Sequence, residues 1–350
     1  MSSVDVSDFT EDAPAQTPAW LFELLGLPPL EEADTGTAAG IQFELRGGIL
    51  RARSLLSAAQ AQTAETFGFK WGRRQTFESE AMRRPIREWL IERYGDVAAA
   101  AWWSEYGDAP IVLDAGCGAG LAAVELLAAR LHSVRYVGMD VSTAVDVAAR
   151  RFAERNLPGG FLQADLAEPP FADESLDVVL SEGVLHHTDS TEGALKRLAQ
   201  LLRPGGRFLL YVYRRKGPIR EFTDDYVRDR LQALEPKEAW ARLLPLTRLG
   251  QALGDLHVEI EVPEDVDLLG IPAGRIDVQR LFYWHVCKAY HRDDLDLEEL
   301  NHINFDWYAP RNAHRQSPEE VRAWCLEAGL EVERENVQDA GITIVARKTS

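Results

Sequence analysis

The residues 112–120, VLDAGCGAG, hold the densest chemical signal in the chain. An apolar run ends in Asp114 and enters a turn that carries Gly116, Gly118 and Gly120. Missing side chains let a backbone approach a ligand, and the helix that follows such a turn offers free N–H groups and positive potential. A glycine turn alone serves several cofactors. The nicotinamide fingerprint is GxGxxG with an acid about 20 residues on, whereas the spacing here is GxGxG and Asp114 precedes it. Two more acids follow apolar runs: Asp140 after residues 134–139, and Asp165 after residues 161–163. In an open α/β sheet all three fall at the carboxyl edge, where ligands bind. A carboxylate at 140 is placed to accept hydrogen bonds from both hydroxyls of a ribose, and one at 165 suits an amino group such as that of an adenine. A helix cap or loop role explains one such Asp as well as ligand binding does. It explains three in register poorly.

These residues need a sheet to align them, and the surrounding pattern supplies one. Strands are expected at 111–113, 134–139, 161–163, 176–180 and 207–213, with helices at 121–130, 143–155 and 191–202 between them. That alternation means a doubly wound, mostly parallel α/β sheet. Residues 105–215 form this core. Residues 1–104 form an N-terminal accessory or lid segment, with an acidic tail at 1–17 expected to be disordered. Within that segment, strands at 41–45 and 49–53 flank a Gly47-Gly48 turn, and an amphipathic helix runs through 77–94. Residues 216–304 break the alternation and read as a helical cap insertion. Residues 305–350 complete the core sheet. Ser317, Pro318 and Glu320 open a helix with a capping box, Gly329 closes it, and strands at 330–337 and 342–347 form an antiparallel hairpin.

The segments VLDAGCGAG, VGMDVS, QADLAEPPFADESLDVVLSEGVLHHT and LLRPGGRFLLYVY (112–120, 137–142, 163–188 and 201–213) resemble the class I S-adenosylmethionine (SAM)-dependent methyltransferases. The last two are closest to the small-molecule branch that includes the ubiquinone and menaquinone methyltransferases. The resemblance covers residues 105–213 closely and the C-terminal helix and hairpin more loosely. It implies a Rossmann-like, seven-stranded sheet with a reversed last strand, and SAM as cofactor. By position it implies that Asp114, Gly116 and Gly118 face the methionine part of SAM. Asp140 holds the ribose, with Val141 beside the adenine, and Asp165 and Leu166 border the adenine. Ser181, Glu182 and Gly183 adjoin the sulfonium and the acceptor. Methyl transfer mainly needs alignment and exclusion of water. An oxygen or nitrogen acceptor also calls for a base, and His187, His186 and Glu182 are the nearest candidates. Either His serves equally as a packed ring or a turn cap.

Two clusters outside the core are candidates for the rest of the pocket. Phe67–Trp71 is an aromatic segment of the kind that closes over SAM in related enzymes, which assigns Trp71 to the cofactor and Phe69 to the substrate. Ordinary helix packing accounts for it as well. Tyr213, Trp307, Tyr308 and Asn312 mix aromatic and amide groups in a way that suits a polar substrate pocket, against the alternative of surface loops and helix pairs such as Arg220–Asp224.

Composition limits the function classes. The net charge of −18, from 38 Lys and Arg against 56 Asp and Glu, argues against nucleic acid as partner. No apolar run reaches membrane-spanning length and no signal peptide is visible, so a cytoplasmic protein without membrane attachment is expected. The 3 cysteines lack zinc or disulfide spacing, so no metal is expected. The excess of Arg over Lys and the abundance of Ala point to a GC-rich bacterial source. The first reading is a SAM-dependent methyltransferase acting on a small molecule at O, N or C, in secondary or cofactor metabolism, with a homodimer as candidate assembly. The alternatives are 3-amino-3-carboxypropyl transfer or SAM cyclisation with release of methylthioadenosine, then a non-catalytic SAM-binding partner, and last a nicotinamide oxidoreductase.

Overall fold

The computed structural model describes residues 16–349, so most of the expected N-terminal tail lies outside the described residues. The N-terminal part consists of helix α1 (Ala19–Leu25), strands β1 (Thr35–Ala38), β2 (Ile41–Arg46) and β3 (Ile49–Ala52), and helices α2 (Ala58–Gly72) and α3 (Glu80–Tyr94). The core runs β4 (Ile111–Ala115), α4 (Leu121–Leu127), β5 (Arg135–Asp140), α5 (Ala144–Glu154), β6 (Gly160–Gln163), β7 (Leu176–Glu182), α6 (Thr191–Leu201) and β8 (Leu202–Tyr213). Next come α7 (Pro218–Leu231), α8 (Pro236–Gly254), β9 (Glu259–Val262), β10 (Gly274–Asp277), α9 (Val278–His285) and α10 (Leu297–Tyr308). The chain closes with α11 (Pro318–Glu327), β11 (Leu330–Val337) and β12 (Gly341–Lys348).

The strand order is β1-β2-β3-β6-β5-β4-β7-β8-β12-β11. From β6 to β11 this is the expected seven-stranded sheet, with β12 antiparallel to both β8 and β11 and the others parallel. The sheet is longer than expected, with ten strands, because the three N-terminal strands continue it past β6. β3 pairs with β6 in parallel through Leu50↔Leu162 and Arg51↔Gln163. The Arg51 side chain reinforces the join by donating to Gln163 Oε1 at 2.8 Å and to Asp146 Oδ1 at 2.6 Å. An edge that would otherwise be open is thereby covered. The partner strand lies over 100 residues away, so no local pattern announces it.

Alternation along each central strand feeds two cores. Leu113 packs with α1, α6 and α11 residues such as Leu21, Leu198 and Val321. Its neighbour Val112 faces the other side, with Leu90 of α3, Leu126 of α4 and Phe152 of α5. Helices cover both faces, as a parallel sheet requires. α11 has the expected start: Ser317 N donates to Glu320 Oε2 at 2.7 Å while Glu320 N donates to Ser317 Oγ at 3.3 Å. Gly329 follows it with φ of +67°.

The segment after β8 has a separate core. Leu231 of α7, Trp240 and Leu243 of α8, and Phe305, Trp307 and Tyr308 of α10 pack together, with Phe69 of α2 against them. This segment is not wholly helical: β9 and β10 form an antiparallel pair. The expected boundary between residues 304 and 305 falls inside α10, a continuous helix with a capping box at Asp296 and Glu299. Among the described residues no helix is long and apolar enough to cross a membrane.

Candidate active site

The carboxyl edge of the sheet opens into a cavity of about 410 Å³. That is within the range of sites that enclose a small ligand. Asp114 lies one residue from the end of β4, Asp140 ends β5, and Asp165 follows β6 by two residues. All three line the cavity, with Gly116, Gly118, Val141 and Leu166 between them. The turn after β4 is tied to the neighbouring strand: Gly116 N donates to Met139 O at 2.7 Å and Gly118 N to Asp140 Oδ2 at 2.9 Å. Gly116 has φ of +87°, and a Cβ there would lie 2.2 Å from Val184 Cγ1, so no larger residue fits. At Gly118 a Cβ would approach Trp71 Nε1 to 3.1 Å, which places the indole directly over the turn.

Burial shapes the acids. Asp114 is pushed up to about 7 by loss of solvent, opposed by a hydrogen bond from the Tyr136 hydroxyl at 2.8 Å. Asp140 is also raised by burial, against hydrogen bonds from Ser142 N at 2.8 Å, Ser142 Oγ at 2.7 Å and Gly118 N. Burial raises Asp165 too. Asp114 and Asp140 are buried and Asp165 is half-buried, an arrangement that a ligand offering further donors would stabilise.

His187 lies on the cavity wall, and its environment fixes its tautomer. Nδ1 is 2.6 Å from the Asn312 carbonyl oxygen, which can only accept, so Nδ1 carries the proton. Nε2 is therefore the basic nitrogen. Burial pulls His187 down to about 4, so the ring is neutral near pH 7 and able to take a proton. Glu182 also lines the cavity, but Arg93 Nη1 donates to its Oε1 at 2.6 Å and the Tyr94 hydroxyl donates to Oε2. Each oxygen thus already accepts a hydrogen bond from a side chain of α3.

Five expected site residues do not line the cavity. His186 is fully buried; its ring stacks on Tyr213 with centroids 3.6 Å apart, and its Nδ1 accepts from Tyr213 N at 3.3 Å. Ser181 donates to the Ala115 carbonyl at 2.9 Å, tying β7 to β4, because alternation along β7 turns it inward. Phe69 packs against Trp240 and Phe305, with centroids 6.0 and 5.8 Å away. It lies on α2 about 100° of helix turn from Lys70, which does face the cavity. The Tyr308 hydroxyl donates to Asp224 Oδ1 at 2.7 Å. The Asn312 amide donates to Asp189 Oδ1 at 2.7 Å, and its carbonyl acts on His187. Trp71, Tyr213 and Trp307 do reach the cavity.

Residues beyond the assigned set also line the cavity. α2 presents Gln60, Thr63, Phe67 and Lys70, spaced as one helical face. Lys70 Nζ lies 3.0 Å from Asp306 Oδ2 and 4.2 Å from the Trp71 ring centroid. Burial would raise Asp306, but Lys70 and Lys288 outweigh it and hold its carboxyl down at about 2. Lys216, Arg220, Trp284 and Lys288 complete the far wall. Behind them Asp224, 1% exposed, accepts from Arg220 Nε at 2.7 Å, Trp307 Nε1 at 2.7 Å, the Tyr308 hydroxyl and Lys288 N at 3.3 Å. The Arg220–Asp224 pair is thus no surface helix pair but the centre of a buried network. The four-residue spacing was visible in sequence, while partners about 60 to 85 residues away were not.

Residues 113–210 match the family model of a methyltransferase domain. Among curated relatives, the chain is 34% identical over 135 residues to phthiotriol/phenolphthiotriol dimycocerosates methyltransferase 1 of Mycobacterium ulcerans, covering 38% of this chain and 48% of that protein. It is 37% identical over 102 residues to an O-methyltransferase of Aspergillus nomiae, covering 28% and 44%. A solved structure of 1,6-didemethyltoxoflavin-N1-methyltransferase from Burkholderia thailandensis is 16% identical, covers 91% of this chain and 100% of that one, and has a TM-score of 0.41. The chain spans about half the length of the curated relatives it matches. Residues 113–210 thus carry a methyltransferase domain.

Proposed function

We propose that this protein transfers a methyl group from SAM to a small-molecule acceptor, at O, N or C. One observation carries the reading: the three strand-end carboxylates, the Gly116–Gly118 turn and the unprotonated Nε2 of His187 belong to a single cavity. Asp140 would hold the ribose hydroxyls. Val141, Asp165 and Leu166 would border the adenine. Asp114, Gly116 and Gly118 would face the methionine part, with Trp71 closing over it. The residues fit the group, since a side chain at Gly116 would fill the cradle and a buried acid at 114 suits a cationic amino group.

When bound, SAM supplies a methyl group already activated on a sulfonium. The chain's residues align the acceptor and exclude water. For an O or N acceptor, His187 Nε2 takes the proton that leaves as the new bond to carbon forms. Asn312 positions that ring through its carbonyl. Residues 16–104 and 216–304 act together as a lid, since α2 and the post-β8 helices share one hydrophobic cluster. The acidic balance supports the absence of a nucleic-acid partner, the sparse cysteines a cytoplasmic setting, and the excess of Arg over Lys a bacterial source; secondary or cofactor metabolism is the proposed setting and a second copy of the chain the candidate partner.

The test is mass spectrometry of nucleosides after incubation with SAM and a bacterial metabolite extract. S-adenosylhomocysteine formed only with extract supports the proposal. Methylthioadenosine above the uncatalysed background would replace it with a SAM enzyme of different chemistry.

A further inference from the structure

We propose that the acceptor is an anion, whose carboxylate or phosphate group is held by Lys216 and Lys288 while its flat, apolar part lies against Trp307 and Trp284. This inference rests on the methyltransferase reading and names the substrate class of that same cavity.

Four cations surround one indole. The Trp307 ring centroid lies 5.7 Å from Lys216 Nζ, 5.1 Å from Lys288 Nζ, 5.5 Å from Arg220 Cζ and 4.8 Å from Arg228 Cζ. Two of them are matched: Arg220 by Asp224 at 2.7 Å and Arg228 by Asp225 at 3.0 Å. The other two are not. Lys288 Nζ is 3.6 Å from Asp306 Oδ1, and the same carboxylate already pairs with Lys70 at 3.0 Å. Among the described residues Lys216 has no ion pair; its Nζ donates to the backbone carbonyls of Asp339 and Ala340. This end of the cavity therefore holds more basic side chains than acids to pair them, inside a protein of net charge −18.

Such an excess is not a solvated surface feature. Of the two unmatched lysines, Lys288 is 7% exposed and Lys216 is half-buried. Burial, together with neighbouring Arg220, pushes Lys216 down to about 7 and Lys288 down to about 8. Buried cations of this kind are stabilised by an opposite charge, and a charge-assisted bond to an oxyanion is stronger than a neutral one. The aromatic wall beside them favours a flat partner, since Trp284 lies 5.9 Å from Lys216 Nζ and both indoles line the same space.

The carboxylate of SAM is a rival occupant, and the sheet separates the two. The cofactor residues lie at the ends of β4, β5 and β6, whereas Lys216 follows β8, two strands from β4 or about 10 Å across the sheet. Lys288 comes from the segment after α9, on the same far side. Lys70, 4.2 Å from the ring of Trp71, is the cation on the cofactor side, with the Asp306 carboxylate between it and Lys288.

The experiment titrates the protein, saturated with S-adenosylhomocysteine, with benzoate, phenyl phosphate and neutral benzamide, reading tryptophan fluorescence and calorimetry. At least one anion is expected to bind about tenfold or more tighter than benzamide, and which one does so separates a carboxylate from a phosphate site. Lys288→Met and the milder Lys216→Gln should erase that preference while the S-adenosylhomocysteine Kd stays within about twofold. Equal binding of all three probes overturns the inference. So does a matching loss of S-adenosylhomocysteine affinity in both variants, which would assign the lysines to the cofactor. Wild-type protein that does not bind S-adenosylhomocysteine at all would instead defeat the methyltransferase reading. The comparison of probes on wild-type protein needs no variant to fold.

Discussion

At one end of the cavity, Asp114, Asp140 and Asp165 sit on or just beyond three adjacent strands, each within two residues of a strand end. At the other end, Lys216, Arg220, Lys288, Asp306 and Trp307 come from α7, α10 and the loops that flank α7 and α9. The first end is built by local rules: a strand stops, an acid follows, a glycine turn bends away. The second is built by pairing across 60 to 85 residues, with Asp224 as the shared acceptor. The difference means that a change at either end should leave the other largely intact. It also explains why, among the described residues, one end holds acids with no cation paired to them and the other cations without enough acids: each awaits a different part of the reacting pair.

The seam between the ends is His187, and His187→Asn is expected to give the largest effect on rate. For an O or N acceptor kcat should fall by about 10²–10⁴, with the S-adenosylhomocysteine Kd unchanged by calorimetry. The limb of the wild-type kcat profile that belongs to His187, measured with both substrates saturating, should fall only as pH approaches about 4, where the ring protonates. A rate that instead tracks an ordinary histidine would break the assignment. The same buried ring bears on stability. Its folded value lies below the ordinary 6.5, so the unfolded chain binds the proton first, and stability should be lost as pH falls from about 6.5 toward 4.

Next in size is Asp224→Ala. It strands Arg220 in the interior and removes the acceptor for Trp307 and Tyr308, which should cost about 3–5 kcal/mol by chemical denaturation. Hydrogen exchange should rise in α7, α9 and α10, while S-adenosylhomocysteine still binds. Loss of cofactor binding would show that the two ends are not separable. Asp140→Asn is the reciprocal change. It keeps the shape and removes the charge, so S-adenosylhomocysteine binding should weaken by about 1.5–3 kcal/mol, with the probe preference at the other end retained. The smallest effect is a proton count. Asp114, raised to about 7, should ionise when a cationic amino group binds beside it, releasing a fraction of a proton near pH 7. Calorimetry in buffers of different ionisation enthalpy measures that fraction, and proton uptake would contradict it.

The sequence carried the cofactor end well, because an acid after a short apolar run is a local signal and the sheet register brings all three to one edge. It carried β12 and the Ser317 helix for the same reason. It placed the aromatic end of α2 at the site but missed that helix's polar face, since α2 buries Gln60, Thr63, Thr66 and Lys70 and apolar periodicity does not reveal them. That misreading also put Phe69 in the pocket in place of Lys70, one residue and about 100° away. Nor does His187 declare its protonation in sequence, since the carbonyl that fixes it lies 125 residues away in Asn312. The β3–β6 pairing is equally remote. Distance along the chain, rather than chemical subtlety, separates what could be read from what could not.

Hydrogen exchange with and without saturating S-adenosylhomocysteine tests the central division most directly. The account predicts protection at residues 114–120, 140–142 and 165–167 and in the last turns of α2, with little change in α7 and α9. Protection centred on α7, α9 and α10, or none at the three strand ends, would contradict it.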